Sequence, residues 1–312
     1  MTAFAFVFPG QGSQAVGMLD AWGDHPAVRE TLAEASEALG EDVGALIAQG
    51  PKDRLDLTTN TQPVMLTAGV ACWRAWLADT GLQPAIVAGH SLGEYTALVA
   101  AGALTLKDAL PLVRFRAQAM QDAVPVGAGG MAAILGMDAE GVKAGCAEAV
   151  AATGEAVEAV NFNDPKQTVI AGTKAAVDKA CEILKAAGAK RALPLSVSAP
   201  FHSSLMKPAA ERLKGQLAAT PFAAPSIPVL NNIDVATPAD VDALRDALYR
   251  QAFGPVRWVE TIQALKARGM THVIECGPGK VLAGMVKRID ADLVSATIFD
   301  PASLQEAKGI LA

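Results

Sequence analysis

The sequence predicts an α/β fold with a small ferredoxin-like domain inserted into it. Short apolar runs that end in glycine or proline alternate with stretches of helical periodicity along most of the chain, the pattern of a parallel sheet covered by helices. Between residues 126 and 196 the order becomes β-α-β-β-α-β, the ferredoxin-like arrangement. That block follows Pro125-Val126-Gly127-Ala128-Gly129-Gly130, whose glycines suit a connector. The division is therefore residues 1–125 and 197–312 for the main domain and 126–196 for the insert.

Each element has its own signal. Phe4–Phe8 is a continuous apolar run closed by Pro9-Gly10, a buried strand. Pro26–Leu39 carries proline in its first turn and Gly40 after its last, a helix. Gln62–Asp79 is a long buried helix ending before Gly81. Ile86–Ala88 reads as a strand, Leu92–Ala101 and Leu106–Gln121 as helices. Within the insert, strands are expected at Met131–Leu135, Ala156–Asn161, Thr168–Ala171 and Arg191–Leu195. Helices are expected between them at Ala139–Ala151 and Ala175–Ala187. The chain then returns to α/β. Helices Leu205–Ala218, Ala239–Gln251 and Val259–Arg268 are interleaved with strands Val229–Asn231 and His272–Glu275.

Composition excludes several classes. The 312 residues are 51% hydrophobic and 19% charged, too apolar for a disordered chain. The net charge of −6 argues against bulk binding to nucleic acid or an anionic membrane. The apolar N-terminus has no basic residue before Arg29, so it reads as a strand rather than a secretion signal. No apolar run is long enough for a membrane span. Cys72, Cys146, Cys181 and Cys276 are scattered without metal-ligand spacing and read as reduced packing residues. The expected location is the cytoplasm.

The chemistry concentrates at Gly89-His90-Ser91-Leu92-Gly93, a G-x-S-x-G motif between a strand and a helix. A serine on such a turn exposes its hydroxyl at a helix N-terminus, and the following amide faces an oxyanion. The competing reading is a glycine-rich turn with a capping serine. A serine hydroxyl needs a base, and the chain has four histidines. His90 adjoins Ser91 and reads as a loop or packing residue. His25 stands before a helix and His272 opens an apolar strand. His202, in Ala199-Pro200-Phe201-His202-Ser203 between a strand and a helix, is the candidate base. A hydrolase-type triad would add an acid between Ser91 and His202 in chain order. Asp108, Asp122, Asp138 and Asp164 are available and none stands out. Gly10-Gln11-Gly12-Ser13-Gln14-Ala15 fits a loose dinucleotide fingerprint. The helix expected at 26–39 stands where that fold needs a second strand and an acidic residue, so no nucleotide cofactor is assigned.

Six segments in one order then point to a family. They are Phe-Pro-Gly-Gln-Gly-Ser-Gln (8–14), Gly-His-Ser-Leu-Gly-Glu (89–94), Arg116 ahead of Met120-Gln121, Val-Asn-Phe-Asn (160–163), Pro-Phe-His (200–202) and Glu-Cys-Gly-Pro-Gly-Lys (275–280). Together they resemble the malonyl-CoA:acyl-carrier-protein transacylases of bacterial fatty-acid synthesis over essentially the whole chain. The resemblance implies an α/β-hydrolase-like core with a ferredoxin-like insert. It implies that Ser91 is acylated and His202 is its base and acid. A backbone carbonyl at Gln251 then orients the histidine in place of a triad acid. It implies an oxyanion hole from the amides of Gln11 and Leu92. Arg116, which on spacing alone reads as a helix-surface residue, becomes the bidentate partner of the malonyl carboxylate. Asn161 and Phe201 become candidate pocket residues, and phenylalanine before the histidine accompanies malonyl over methylmalonyl preference in related polyketide acyltransferases. The partners implied are malonyl-CoA and an acidic acyl carrier protein, with no bound cofactor or metal and CoA as a substrate. Lys190 and Arg191 are a candidate docking patch for that carrier; the alternative is a solvated helix C-terminus. A discrete polyketide acyltransferase and a serine esterase or thioesterase remain rival readings.

Overall fold

The computed structural model describes residues 2–197 and 199–311. Two sheets organise the chain. The first is parallel and has five strands. Its centre is β1 (Phe4–Phe8), fully buried on both faces as a central parallel strand must be. The side chains divide by the period of two. Phe4, Phe6 and Phe8 enter one core and Ala5 and Val7 the other. Helices α1 (Pro26–Leu39), α2 (Val43–Gln49), α3 (Lys52–Leu55) and α4 (Thr58–Thr80) follow. Trp73 and Trp76 of α4 meet the Phe6 ring edge-on at 5.6 and 5.4 Å. Burying such a ring stabilises the fold by about 1.5–3 kcal/mol. Next come β2 (Ile86–Gly89), α5 (Gly93–Ala100) and α6 (Leu106–Asp122).

The chain then forms the second sheet from β3 (Gly129–Leu135), α7 (Ala139–Thr153), β4 (Val157–Asp164), β5 (Gln167–Thr173), α8 (Lys174–Ala186) and β6 (Arg191–Pro194). Its order is β4-β5-β3-β6, with every pair antiparallel, which is the ferredoxin-like topology. The chain returns through α9 (Lys207–Ala219), β7 (Val229–Leu230), α10 (Val241–Gln251), α11 (Trp258–Ala267), β8 (His272–Cys276), α12 (Val281–Ile289), β9 (Val294–Ile298) and α13 (Pro301–Leu311). The first sheet runs β7-β2-β1-β8-β9. The α/β class and the ferredoxin-like insert expected from sequence are both present.

Several elements differ from the sequence reading. α4 starts at Thr58 rather than Gln62 and keeps Pro63 inside it. The buried Thr61 hydroxyl donates to the carbonyls of Leu55 and Leu57 and anchors that extra turn. The helix expected from Leu205 begins as a 3₁₀ turn, Ser204–Met206, before α9. α2 and α3 were not expected, and neither were α12, β9 and α13 beyond Glu275. No helix among the described residues is long and apolar enough to cross a membrane.

The register places the site. Phe8 pairs with Gly89, so β1 and β2 end side by side. The loop after β1 therefore lies against the turn after β2, at the carboxyl ends where open parallel sheets bind ligands. The second sheet is stitched to this region. The Phe162 amide donates to the Val256 carbonyl at 3.0 Å and the Val256 amide to the Val160 carbonyl at 2.8 Å. Arg288 on α12 pairs with the buried Asp164 of β4 at 2.7 Å.

Candidate active site

Ser91 stands on the turn between β2 and α5 with φ +53°, a left-handed value that a residue with a side chain adopts only under constraint. The flanking glycines are required by contact. A Cβ on Gly89 would lie 1.9 Å from the Gly93 carbonyl carbon, and one on Gly93 would lie 2.0 Å from the Phe8 carbonyl oxygen. The Ser91 amide donates to Asn232 Oδ1 at 2.8 Å.

His202 lies in the loop after β6, also with positive φ, +66°. Its Nε2 is 2.6 Å from Ser91 Oγ and its Nδ1 is 2.9 Å from the Gln251 carbonyl oxygen. That carbonyl can only accept, so Nδ1 carries the proton. In the neutral ring Nε2 is then the acceptor of the serine hydroxyl. Burial, with the positive charge of Arg116 second, pushes the imidazole down to about 3. The ring is therefore neutral at physiological pH, with Nε2 able to accept a proton. No carboxylate among the described residues takes the orienting place. Asp108 bonds Thr105, Asp122 pairs with Arg212, Asp138 caps α7 and Asp164 pairs with Arg288.

Arg116 is not on the helix surface. It is 2% exposed and points from α6 into the site. Nη1 donates to Gln62 Oε1 at 2.8 Å, and Nη2 donates to Gln251 Oε1 at 3.1 Å and to Ser91 Oγ at 3.3 Å. The Tyr95 ring lies 5.5 Å from its guanidinium carbon, and its Nε has no partner among the described residues. Burial lowers its pKa, but a guanidinium remains charged at neutral pH. Ser91, His202 and Arg116 open on one cavity of about 120 Å³, walled by Gln11, Gln62, Leu92, Met131, Val169 and Phe201 among others. The backbone amides of Gln11 and Leu92 make no hydrogen bond to any described residue. A wider cleft of about 540 Å³ adjoins it, between the loop after β1, strands β4 and β5 and helix α12. Asn161 lines both spaces, and its Oδ1 is buried without a partner among the described residues.

This constellation has a bound serine–histidine pair, two uncommitted amides and a buried cation. It suits acyl transfer through a serine ester of an acyl group that carries a free carboxylate. The chain matches the acyl transferase domain family over residues 5–298. It is 53% identical over 308 residues to the malonyl CoA-acyl carrier protein transacylase of Salmonella typhimurium, covering 98% of this chain and 99% of that protein. The chain belongs to the malonyl CoA-acyl carrier protein transacylase family.

Solved structures agree with that placement. An acyl-carrier-protein S-malonyltransferase from Burkholderia pseudomallei superposes with TM-score 0.96 at 69% identity, over 98% of this chain and 99% of that one. A malonyl-transacylase in complex with a type II PKS acyl-carrier protein superposes with TM-score 0.96 at 49% identity, over 98% and 99%. Against this family background the structure brings Ser91, His202, Gln251, Gln11, Leu92, Arg116, Asn161 and Phe201 together. Lys190 and Arg191 stand apart, exposed at the start of edge strand β6 rather than at a helix C-terminus, because α8 ends at Ala186. Sequence reasoning did not single out Gln62, Asn163, Asn232 or Glu94. Asn163 holds His90 Nε2 at 2.8 Å, and burial keeps that imidazole below its usual range. Glu94 and Asn163 lie inside the quoted motifs. Asn232 and Gln62 carry no signal that separates them from ordinary polar residues.

Proposed function

We propose that the protein transfers a malonyl group from malonyl-CoA to the phosphopantetheine thiol of an acyl carrier protein, in two half-reactions for fatty-acid synthesis. Ser91 Oγ attacks the thioester carbonyl while its proton passes to His202 Nε2. The Gln11 and Leu92 amides hold the oxyanion. Collapse of the tetrahedral intermediate expels the CoA sulfur, which takes the proton from His202. The carrier thiol then attacks the malonyl-serine ester, with His202 again accepting and returning the proton. No cofactor enters the scheme.

The observation that carries this reading is the buried Arg116 guanidinium beside the serine–histidine pair. A buried cation facing a small cavity calls for an anionic ligand group, since an unpaired charge there is costly. A malonyl carboxylate supplies it, and an ordinary esterase substrate does not. The wall residue Phe201 supports malonyl over branched acyl groups. The four free cysteines suit a reducing cytoplasm. The basic pair Lys190 and Arg191 is assigned to docking of the acidic carrier.

Intact-mass spectrometry tests the scheme. Incubation with malonyl-CoA adds one malonyl group to the protein, and addition of holo carrier protein removes it. Ser91→Ala gains none while keeping its melting temperature. A malonyl adduct on Ser91→Ala, or an adduct lost only to water, overturns the assignment. A carrier from a polyketide pathway discharging faster than a fatty-acid carrier would move the chain to that pathway, as the complexed relative illustrates.

A further inference from the structure

Glu94 has no part in the steps above, yet it is a carboxylate 2% exposed, in the first turn of α5 directly after the nucleophile. Burying a carboxylate is unfavourable unless its hydrogen bonds are made. Here one oxygen makes two. Glu94 Oε2 accepts from the Asn232 amide at 2.9 Å and from Gln251 Nε2 at 3.1 Å. Each donor then reaches one half of the catalytic pair. Asn232 clamps the serine turn from both sides: its Oδ1 accepts from the Ser91 amide at 2.8 Å and its Nδ2 donates to the Gly89 carbonyl at 2.7 Å. Gln251 donates from Nε2 to the Ser91 carbonyl at 3.0 Å, and its own carbonyl accepts from His202 Nδ1 at 2.9 Å.

The surroundings fit a device built to impose geometry. Ser91 and His202 both have left-handed backbone angles, and so does Val235, at φ +56°, in the loop that presents Asn232. A β-branched residue there is strained, and such conformations persist only when neighbours over-determine them. That loop is tied by the Asn231 amide to the Ala236 carbonyl at 3.0 Å and by Asp234 to Arg250 at 2.7 and 2.8 Å.

We propose that Glu94 is the positioning residue of this active site, holding the serine turn through Asn232 and the histidine through Gln251. The inference rests on the acyl-transfer reading of the same site. It also accounts for a histidine oriented by a carbonyl rather than an acid: the carboxylate is present one hydrogen bond further back, anchoring the residue that supplies the carbonyl. Burial pushes the Glu94 carboxyl up to about 7. Oε2 can accept both N–H groups in either protonation state, so the role needs an acceptor oxygen and not a charge.

The test compares Glu94→Gln, which keeps an acceptor, with Glu94→Leu, which keeps the size without one, and with Asn232→Ala. Rapid-quench acylation by malonyl-CoA separates burst amplitude, the fraction of competent protein, from the rate constant at each competent site. Glu94→Gln should acylate within about threefold of wild type, since a neutral amide replaces the lost acceptor. Glu94→Leu and Asn232→Ala should acylate about 10²-fold more slowly, the scale of a nucleophile misplaced by about 1 Å, with the KM for malonyl-CoA nearly unchanged. A merely structural residue would lower the amplitude and the melting temperature and leave the rate constant alone; that result overturns the proposal. A glutamine variant as slow as the leucine variant also overturns it, because charge and not the acceptor would then matter. Should Glu94→Leu not fold, Asn232→Ala decides, and a wild-type rate in it is the overturning result. Absence of any adduct on the wild-type protein would instead be failure of the acyl-transfer reading, visible before any variant is compared.

Discussion

The two sheets meet at one cleft and contribute different things to it. The parallel sheet ends in tight, strained turns. Ser91 follows β2, Gln11 follows β1, and both flanking glycines of the serine turn are fixed by backbone contacts under 2.1 Å to any added Cβ. The antiparallel sheet offers side chains from its strands: Met131, Asn161 and Val169 line the cavity with no positive φ among them, although the β4–β5 register shifts at Asn161. The candidate catalytic groups Ser91 and His202 thus sit where the backbone is left-handed, and the antiparallel sheet supplies cavity walls from residues with ordinary backbone angles. Substitutions in the first group should damage rate constants, and those in the second should damage binding.

The largest expected effect is at His202. His202→Ala should slow both acylation and discharge by about 10²–10⁴-fold, the usual contribution of general acid–base catalysis. The KM for malonyl-CoA should move little. The pH profile sharpens the point. With the imidazole held near 3 by burial and by Arg116, the base stays neutral well below pH 6.5. The acylation rate constant should therefore show no acid limb near the ordinary histidine value. A limb at 6.5 that disappears in His202→Ala would mean that the ring is solvated and that the dyad described above is wrong.

Arg116 comes next, because it bridges the two groups. It lies on a helix of the parallel domain, yet its proposed role is binding. Arg116→Ala should lower kcat/KM for malonyl-CoA by about two powers of ten or more, on the scale of ~2–5 kcal/mol for breaking a desolvated charge pair. Acetyl-CoA, without the carboxylate, should lose little. Lysine should restore only part of the ratio, since it lacks the planar fork. A parallel fall for both substrates would make Arg116 a structural residue.

On the antiparallel side, Asn161→Ala should raise the KM for malonyl-CoA by about three- to tenfold and leave kcat nearly intact, matching one lost hydrogen bond of ~0.5–1.5 kcal/mol to a ligand. Its unpartnered, buried Oδ1 motivates this. Initial-rate kinetics decide it, and a fall in kcat alone would erase the division between the two sheets.

The same division explains what the sequence could reveal. The serine turn was legible because its steric demands leave glycine no substitute, and β1 because a strand buried on both faces is a plain apolar run. The insert was legible from element order. Arg116 was not legible by spacing, since α6 has a mixed face and its burial depends on Gln62 and Gln251, 54 and 135 residues away. Asn232 and Gln251 are in the same position: their roles exist only once four elements converge. The elements after Glu275 are a different case. Leu282, Met285 and Val286 carry helical spacing on α12, so a signal was present there. Edge strand β9, Val-Ser-Ala-Thr-Ile, is only partly buried and alternates apolar with small polar residues, so a strand signal was present there too.

The smallest effect should come from Lys190 and Arg191, which lie on the antiparallel sheet and outside the cavity. Arg191 opens β6, and Leu195, just past its end, lines the cleft. Four residues of extended chain put Arg191 about 13 Å from that wall, on an edge that no strand among the described residues covers. Lys190 lies over Gly136, where any side chain would strike its methylenes. An acidic carrier approaching a protein of net charge −6 meets overall repulsion, so a local positive edge is where attraction can act. Exposed charges of this kind change association rate and salt dependence more than they change chemistry. Replacing both residues by glutamate should therefore raise the KM for the carrier about three- to tenfold. It should flatten the dependence of carrier kcat/KM on ionic strength, and leave malonyl-CoA acylation of Ser91 untouched. Equal effects on both half-reactions would place the pair's influence inside the fold, and no effect on the carrier would move the docking edge elsewhere. Either result would remove the carrier from the antiparallel sheet, while a selective rise in its KM would extend the pattern in which the strands of this sheet bind and the strained turns, Ser91 after β2 and His202 after β6, react.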